Sequence, residues 1–331
     1  MRRVEVAVPG AAYPVLIGGG ALDELRSHLG PAAVAVADRA VDLDLGIPTL
    51  RLEGGEGAKT MEVLGQVLAF LEEHRVGRDG TLVAIGGGTV GDLAGFAASV
   101  WLRGVGLVHV PTTLLAMVDS SIGGKTGVNT ERAKNAVGTF WQPRAVLIDP
   151  AFLRTLPQEQ IDGGHAEVVK YAMTLDPGIA GLTEIEDVIE RCVRCKAAVV
   201  ARDERESGGR EVLNYGHTVA HAIESASGYT VHHGRAVAAG MGVAIRISAG
   251  LGLCEPSLIQ TQDELLAAHG LPGPLPYLRV EQVMAATAGD KKSRAGRLRW
   301  VLLRGMGRAE TGLEAPDELV RDAVAEILAR S

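Results

Sequence analysis

Short apolar runs alternate with amphipathic ones through the first half of the chain, and this alternation predicts an α/β layer. Met1-Arg2-Arg3-Val4-Glu5 opens a strand-like alternation, and Ala33 to Ala37 reads as a buried strand. Met61, Leu64, Val67, Leu68 and Leu71 share one face of a helix predicted over Met61 to Arg75, with Thr60 as N-cap and Gly77 past its end. Thr81 to Ile85 reads as a strand running into Gly86-Gly87-Gly88, followed by a helix from about Gly91 to Trp101. Two more strands, Gly106 to Val110 and Ala145 to Ile148, end at Pro111-Thr112-Thr113 and Asp149-Pro150. Beyond about residue 155, helical spacing takes over in Ile161 to Met173, Ile185 to Arg202, Leu213 to Ser227 and Ala236 to Ala249. A late strand, Leu298 to Leu303, and a closing helix, Pro316 to Arg330, finish the pattern. The expected organisation is a Rossmann-like α/β domain over 1–155 and a mainly α-helical domain over 156–331.

The length of 331 residues supports this division, because single cores stop growing below that size. A net charge of −7 excludes a broad nucleic-acid footprint, which needs a basic stripe. No run of eighteen apolar residues and no apolar leader follows the start, so a cytoplasmic enzyme without a membrane partner is expected. Cys192 and Cys195 form a CxxC within a helical stretch, where they read as small apolar residues rather than as a zinc or redox pair.

Candidate chemistry is scattered along this frame. The glycine turn after the strand at residue 85 either cradles a pyrophosphate at a helix N-terminus or makes a tight turn. Its spacing departs from GxGxxG, and no acidic residue ends a strand about twenty residues later. Gly123-Gly124-Lys125-Thr126 is not a P-loop, since Asp119 stands where the first glycine would be. Lys125 can still meet a phosphate, with Lys134 and Asn135 nearby in sequence.

His217 and His221 are four apart in a predicted helix, and His233 follows in a predicted loop. They fit either a metal site or capped surface histidines. Thr218 after the first histidine disfavours an HExxH protease, so a carboxylate would come from elsewhere. Glu167, three residues before Lys170, is the best donor, although a solvated ion pair is the alternative. Lys196, Arg210 and Asp290-Lys291-Lys292, with Arg103, would suit a small phosphate- and carboxylate-bearing anion.

In order and wording these motifs resemble the 3-dehydroquinate synthases of the sugar-phosphate cyclase family over nearly the whole chain. The resemblance rests on Gly54-Gly55-Glu56-Gly57-Ala58-Lys59-Thr60, the glycine turn with Gly91-Asp92-Leu93-Ala94-Gly95-Phe96, and Trp101-Leu102-Arg103-Gly104-Val105. It continues through Asp119-Ser120-Ser121, Gly123 to Gly127, Lys134-Asn135, Leu213 to Thr218, His221 to Glu224, His233-Gly234 and Asp290-Lys291-Lys292.

The resemblance implies NAD on the α/β domain, a divalent metal, Zn2+ or Co2+, on the helical domain, and a homodimer acting on a sugar phosphate in the cleft between the domains. It implies metal ligation by Glu167, His217 and His233, with His232 only a neighbour. NAD contacts implied are Asp38, Glu56, Lys59, Gly87, Gly88, Asp92, Thr112, Thr113, Lys134, Thr155 and Leu156. Lys125, Asn135, Asn214, His221, one of Lys291 and Lys292, and Arg103 of a partner subunit would hold phosphate. Lys196 and Arg210 would hold a carboxylate, Asp119 and Lys170 would reach hydroxyls, and His221 would move protons. The implied reaction oxidises a carbinol transiently, eliminates phosphate, returns the hydride, and closes the carbocycle by an aldol step. Two positions depart from the family's wording. Arg235 stands where many members carry glutamate, and Gln160 takes an often acidic place. A related cyclase making an amino-dehydroquinate, a valiolone or an inosose is the nearest alternative, and a metal-dependent polyol dehydrogenase the next.

Overall fold

A computed structural model describes residues 1–131, 133–273, 275–293 and 298–330, with the backbone alone for 288–293. The chain forms two compact units, one of Met1–Pro157 with Glu184–Arg205, the other of Gln158–Thr183 with Glu206–Ser331.

The first unit is built on a seven-stranded sheet. Strand β1 (Arg2–Val8) buries Val4, Val6 and Val8 on alternate positions and pairs antiparallel with β2 (Ala11–Ile17). Then follow β3 (Ala33–Asp38), β4 (Thr49–Leu52), β5 (Thr81–Gly86), β6 (Gly106–Pro111), the hairpin β7 (Lys125–Val128) and β8 (Val137–Phe140), and β9 (Ala145–Ile148). The order is β1-β2-β9-β6-β5-β3-β4, and every pair except β1–β2 is parallel. Both faces of the parallel strands are covered, so β5, β6 and β9 are buried at every position rather than alternating. β3 connects outward to β4, while β5 returns on its other side. The carboxyl ends of β3 and β5 therefore flank a topological switch point, where open α/β sheets bind ligands.

After the short α1 (Leu25–His28), α2 (Met61–Glu73) starts where Thr60 Oγ1 accepts from Val63 N at 3.2 Å, and buries Leu64, Val67 and Leu71. It stops two residues short of Arg75, whose φ of 51° leaves the helical region. α3 begins at Gly88 within the glycine turn, earlier than the Gly91 expected, and ends at Val100. α5 (Ile185–Arg202), which follows α4 (Gln158–Thr174), spans the predicted limits but packs with the first unit, whereas its helical texture assigned it to the second. Its buried stripe is Val188, Ile189, Cys192, Val193, Ala197 and Val200, and Arg2 of β1 bonds both Asp187 and Glu190 on it. Cys192 thus serves as core, and both it and Cys195 are reduced.

The second unit holds α4, α6 (His217–Ala226), α7 (His233–Gly250), α8 (Ser257–Ala267), α9 (Val280–Ser293), the hairpin β10 (Trp300–Gly305) and β11 (Arg308–Leu313), and α10 (Asp317–Ala329). α7 is buried along nearly its whole length, so its neighbours pack around it. Two expectations change. The predicted helix from Leu213 is broken, because Gly209–Asn214 is a tight 3-10 turn and Gly216 takes φ 81° before α6 begins at His217. His233, expected in a loop, is the first residue of α7.

Candidate active site

Glycine contacts set how closely the helices of the second unit approach. A Cβ on Gly234 would lie 2.1 Å from the Gly163 Cα, so α4 and α7 touch backbone to backbone there. One on Gly240 would lie 2.0 Å from the Gly216 carbonyl oxygen, which brings the start of α6 onto α7. Glu167 is one helical turn after Gly163, His217 follows Gly216, and His233 precedes Gly234. The three side chains consequently converge, with all candidate ligand atoms within 4.8 Å of one another. Glu167 Oε1 is 3.6 Å from His217 Nε2 and 3.6 Å from His233 Nε2.

The far nitrogen of each ring is occupied. His217 Nδ1 lies 3.2 Å from the Tyr215 carbonyl oxygen and donates to it, while His233 Nδ1 faces Glu224 Oε1 at 3.4 Å. Both rings are thereby oriented with Nε2 toward Glu167, as a metal-binding histidine requires. Burial pushes His217 down to about 3, against the pull of Glu167. Burial also works to lower His233, but Glu167 and Glu224 outweigh it and hold this imidazole up at about 9. Glu167 is 1% exposed and ion-paired with the equally buried Lys170, so the solvated-pair alternative is excluded. Two imidazoles and one carboxylate fit a divalent ion such as zinc, with coordination positions left over.

Around this cluster, the His221 ring stands edge-on to His217 with centroids 5.7 Å apart. Arg210 is buried, and Asn214 Nδ2 donates to Glu206 Oε1 at 2.9 Å. Arg235 does not face the cluster as a bare charge, because Glu159 Oε1 lies 3.6 Å from its guanidinium and also pairs with His232 through Oε2. Sequence reasoning assigned no role to Glu224. Its signal was available in the spacing of His217, His221 and Glu224, which keeps all three on one helical stripe.

In the first unit the switch point gathers a second group. Asp38 closes β3, and a Cβ on Gly54 would come within 2.3 Å of its carboxylate, one on Gly86 within 3.3 Å of its Cβ. The acidic residue thus sits beside the glycine turn in space although it precedes that turn in sequence. Gly87 and Gly88 pack tightly on Thr113 and Ser120, with hypothetical Cβ distances of 3.0 and 2.8 Å. Thr112 N donates to the Gly86 carbonyl oxygen at 3.0 Å, and Thr113 Oγ1 accepts from Ala116 N at 3.2 Å. Gly88 being the first residue of α3, the N-terminal turn of that helix lies at this glycine turn, a setting that suits a pyrophosphate.

Lys59, 3% exposed, donates to Asp92 Oδ2 at 2.7 Å and to the Asn135 side chain. Burial raises the Asp92 carboxyl, and Lys59 opposes that rise. Asn129 bonds Glu56 Oε1 at 2.7 Å and accepts from Asn135 N at 2.8 Å, so Glu56, Lys59, Asp92 and Asn135 form one connected network. Asn129 is a second residue that sequence reasoning missed. Asp119, in a π-helical turn over Ala116–Ser120, binds Lys196 Nζ through Oδ1 at 2.6 Å and through its carbonyl oxygen at 2.7 Å. Lys196 therefore lies with the first unit and Arg210 with the second.

Arg103, Lys125, Lys134, Thr155 and Leu156 also belong to the first unit. Arg103 is exposed with φ 68°, Lys125 is exposed at the start of β7, and Lys134 sits in the segment between β7 and β8. Thr155 Oγ1 donates to the Phe152 carbonyl oxygen at 3.3 Å, and Leu156 follows that turn. The side chains of Lys291 and Lys292 lie outside the described residues.

Comparison with known proteins identifies the family. The family profile described as 3-dehydroquinate synthase N-terminal matches residues 49–163, and its C-terminal counterpart matches 164–293. A 3-dehydroquinate synthase from Opitutus terrae is 46% identical, across 96% of each chain. A 2-deoxy-scyllo-inosose synthase, solved with carbaglucose-6-phosphate, NAD+ and Co2+, superposes with a TM-score of 0.88 at 26% identity, over 98% of this chain and 99% of that one. A 2-epi-5-epi-valiolone synthase from Streptomyces hygroscopicus subsp. jinggangensis, solved with NAD+ and Zn2+, gives the same score, identity and coverage. The α/β unit on its parallel sheet and the helical unit give this chain the fold class of the sugar-phosphate cyclases. Within that class, the chain belongs to the 3-dehydroquinate synthase family.

Proposed function

We propose that this chain converts 3-deoxy-D-arabino-heptulosonate 7-phosphate into 3-dehydroquinate and phosphate, as a carbon–oxygen lyase dependent on NAD and a divalent ion, zinc or cobalt. The observation that carries the proposal is the convergence of His217 and His233 on Glu167 with both Nδ1 atoms already held. Glu167, His217 and His233 would hold the ion, which when bound would supply Lewis acidity, and bound NAD would supply reversible hydride acceptance with no net oxidation.

The chain's own residues bind, orient and move protons. Backbone N–H groups at Gly87, Gly88 and the start of α3 meet the pyrophosphate, with Asp38, Glu56, Lys59, Asp92, Thr112, Thr113, Lys134, Thr155 and Leu156 completing the dinucleotide site. His221 carries protons to and from substrate hydroxyls, an imidazole being able both to donate and to accept. Lys170 and Asp119 orient hydroxyls. Lys196 and Arg210 take the carboxylate, the guanidinium by paired hydrogen bonds. Lys125, Asn135 and Asn214 hold the phosphate until it leaves by elimination, with one of Lys291 and Lys292 and with Arg103 from a second copy of the chain. Action as a homodimer is inferred from the family resemblance.

Phosphate release from the heptulosonate phosphate by purified, zinc-loaded protein tests the reading. Release that needs both added NAD and metal, without NADH accumulating, supports it. Release only from another sugar phosphate would assign the chain to a different cyclase, and steady NADH production from a simple polyol would make it a dehydrogenase.

A further inference from the structure

Glu224 is a buried carboxylate that the steps above leave unused. Its side chain is 4% exposed on α6, on the stripe that carries His217 and His221, and its Oε1 faces His233 Nδ1 at 3.4 Å. On the opposite edge of that ring, His233 Nε2 faces Glu167. The two candidate metal-binding imidazoles thus differ in support. His217 leans on a neutral backbone carbonyl, His233 on a carboxylate. A carboxylate accepting Nδ1–H fixes the tautomer with the lone pair on Nε2, makes that nitrogen a stronger donor, and limits rotation of the ring. His233 needs this more than His217 does, because its side chain is 37% exposed against 14% and its packing constrains it less.

We propose that Glu224 is a positioning residue for His233, accepting its Nδ1–H and aiming Nε2 at a metal ion shared with Glu167 and His217. The inference rests on the metal site proposed above. Glu224 touches no reacting atom and acts through the histidine alone.

The test is chelator-competition titration of Zn2+ and Co2+ into metal-free full-length protein, with the Co2+ absorption spectrum as a second readout. Glu224→Ala should weaken metal binding about 10–100-fold, and Glu224→Gln, which keeps an acceptor but loses the charge, by less. Both should shift the cobalt bands. In a His233→Ala background the Glu224 substitutions should cause no further loss, whereas in a His217→Ala background they still should. Should Glu224→Ala fail to fold, the near-isosteric Glu224→Gln decides. Unchanged affinity and spectrum in a folded Glu224→Gln variant, or an undiminished effect without His233, would overturn the inference while leaving the metal site intact. A wild-type protein that binds neither ion would overturn the metal site and this inference together.

Discussion

Glu167 on α4 and His217 at the head of α6 bring Oε1 and Nε2 to 3.6 Å of each other inside a nearly dry environment. A buried carboxylate beside an imidazole that burial keeps neutral is an arrangement for sharing a cation. His217→Ala should therefore reduce metal affinity by more than the ~10–100-fold typical of losing an outer partner, and abolish phosphate release. Metal content after desalting, measured alongside circular dichroism, checks it. Full stoichiometry in a folded variant would contradict the ligand assignment.

Gly234→Ala probes why the cluster forms at all. The new methyl carbon would sit 2.1 Å from the Gly163 Cα, a backbone atom that cannot rotate away, so α4 and α7 must separate. Overpacking of this kind costs about 1–3 kcal/mol. The expected outcome is a lower unfolding temperature together with weakened metal binding, because Glu167 and His233 ride on the two helices being pushed apart. Unfolding curves with and without zinc measure both effects.

Lys59 and Asp92 should be separable in their contributions to stability and to binding. Lys59→Met leaves the Asp92 carboxylate without its 2.7 Å partner and should cost about 2 kcal/mol, less than the ~3–5 of a fully buried pair because the Asp92 side chain keeps 22% exposure. Lys59→Met with Asp92→Asn should recover most of that stability without recovering NAD affinity. Denaturant unfolding and NAD titration of the three proteins check the two halves of this statement.

His109, buried on β6, gives the fold an acid limb. Burial depresses its imidazole to about 4, whereas the unfolded chain titrates near 6.5. Between these values the unfolded state binds more protons, so the stability contributed by the neutral ring is complete above pH 6.5 and lost as pH falls toward 4. The span corresponds to about 3 kcal/mol. His109→Leu should remove this dependence, so its stability relative to wild type should rise by roughly that amount as pH falls from 7 to 4. Unfolding measured across this range tests the sign.

Most elements were legible because their patterns are local. Short, mostly apolar runs marked β5, β6 and β9 as strands, and Thr60 with its following stripe marked α2. The residue types of the metal cluster were legible too, as His217 of a histidine pair at helical spacing, His233 of a predicted loop and the carboxylate Glu167, its setting left open. The misplaced boundaries have local causes that hydrophobic spacing does not report. Gly216 breaks the helix expected from Leu213 by taking a left-handed conformation, and α7 starts at His233 before its apolar stripe begins.

By itself, then, the sequence determined the α/β-then-helical order of the chain, its main strands and helices, and the residue types able to bind a metal and a dinucleotide. Only the tertiary structure decided that α5 joins the first unit, since an amphipathic stripe states that a helix must be buried but not against which core. It alone turned Glu167 inward with Lys170, placed Asp38 beside the glycine turn, and set Glu224 behind His233. Their settings depend on contacts between residues distant along the chain, such as Gly163 on Gly234 and Asp38 on Gly86, which no periodicity in the sequence encodes.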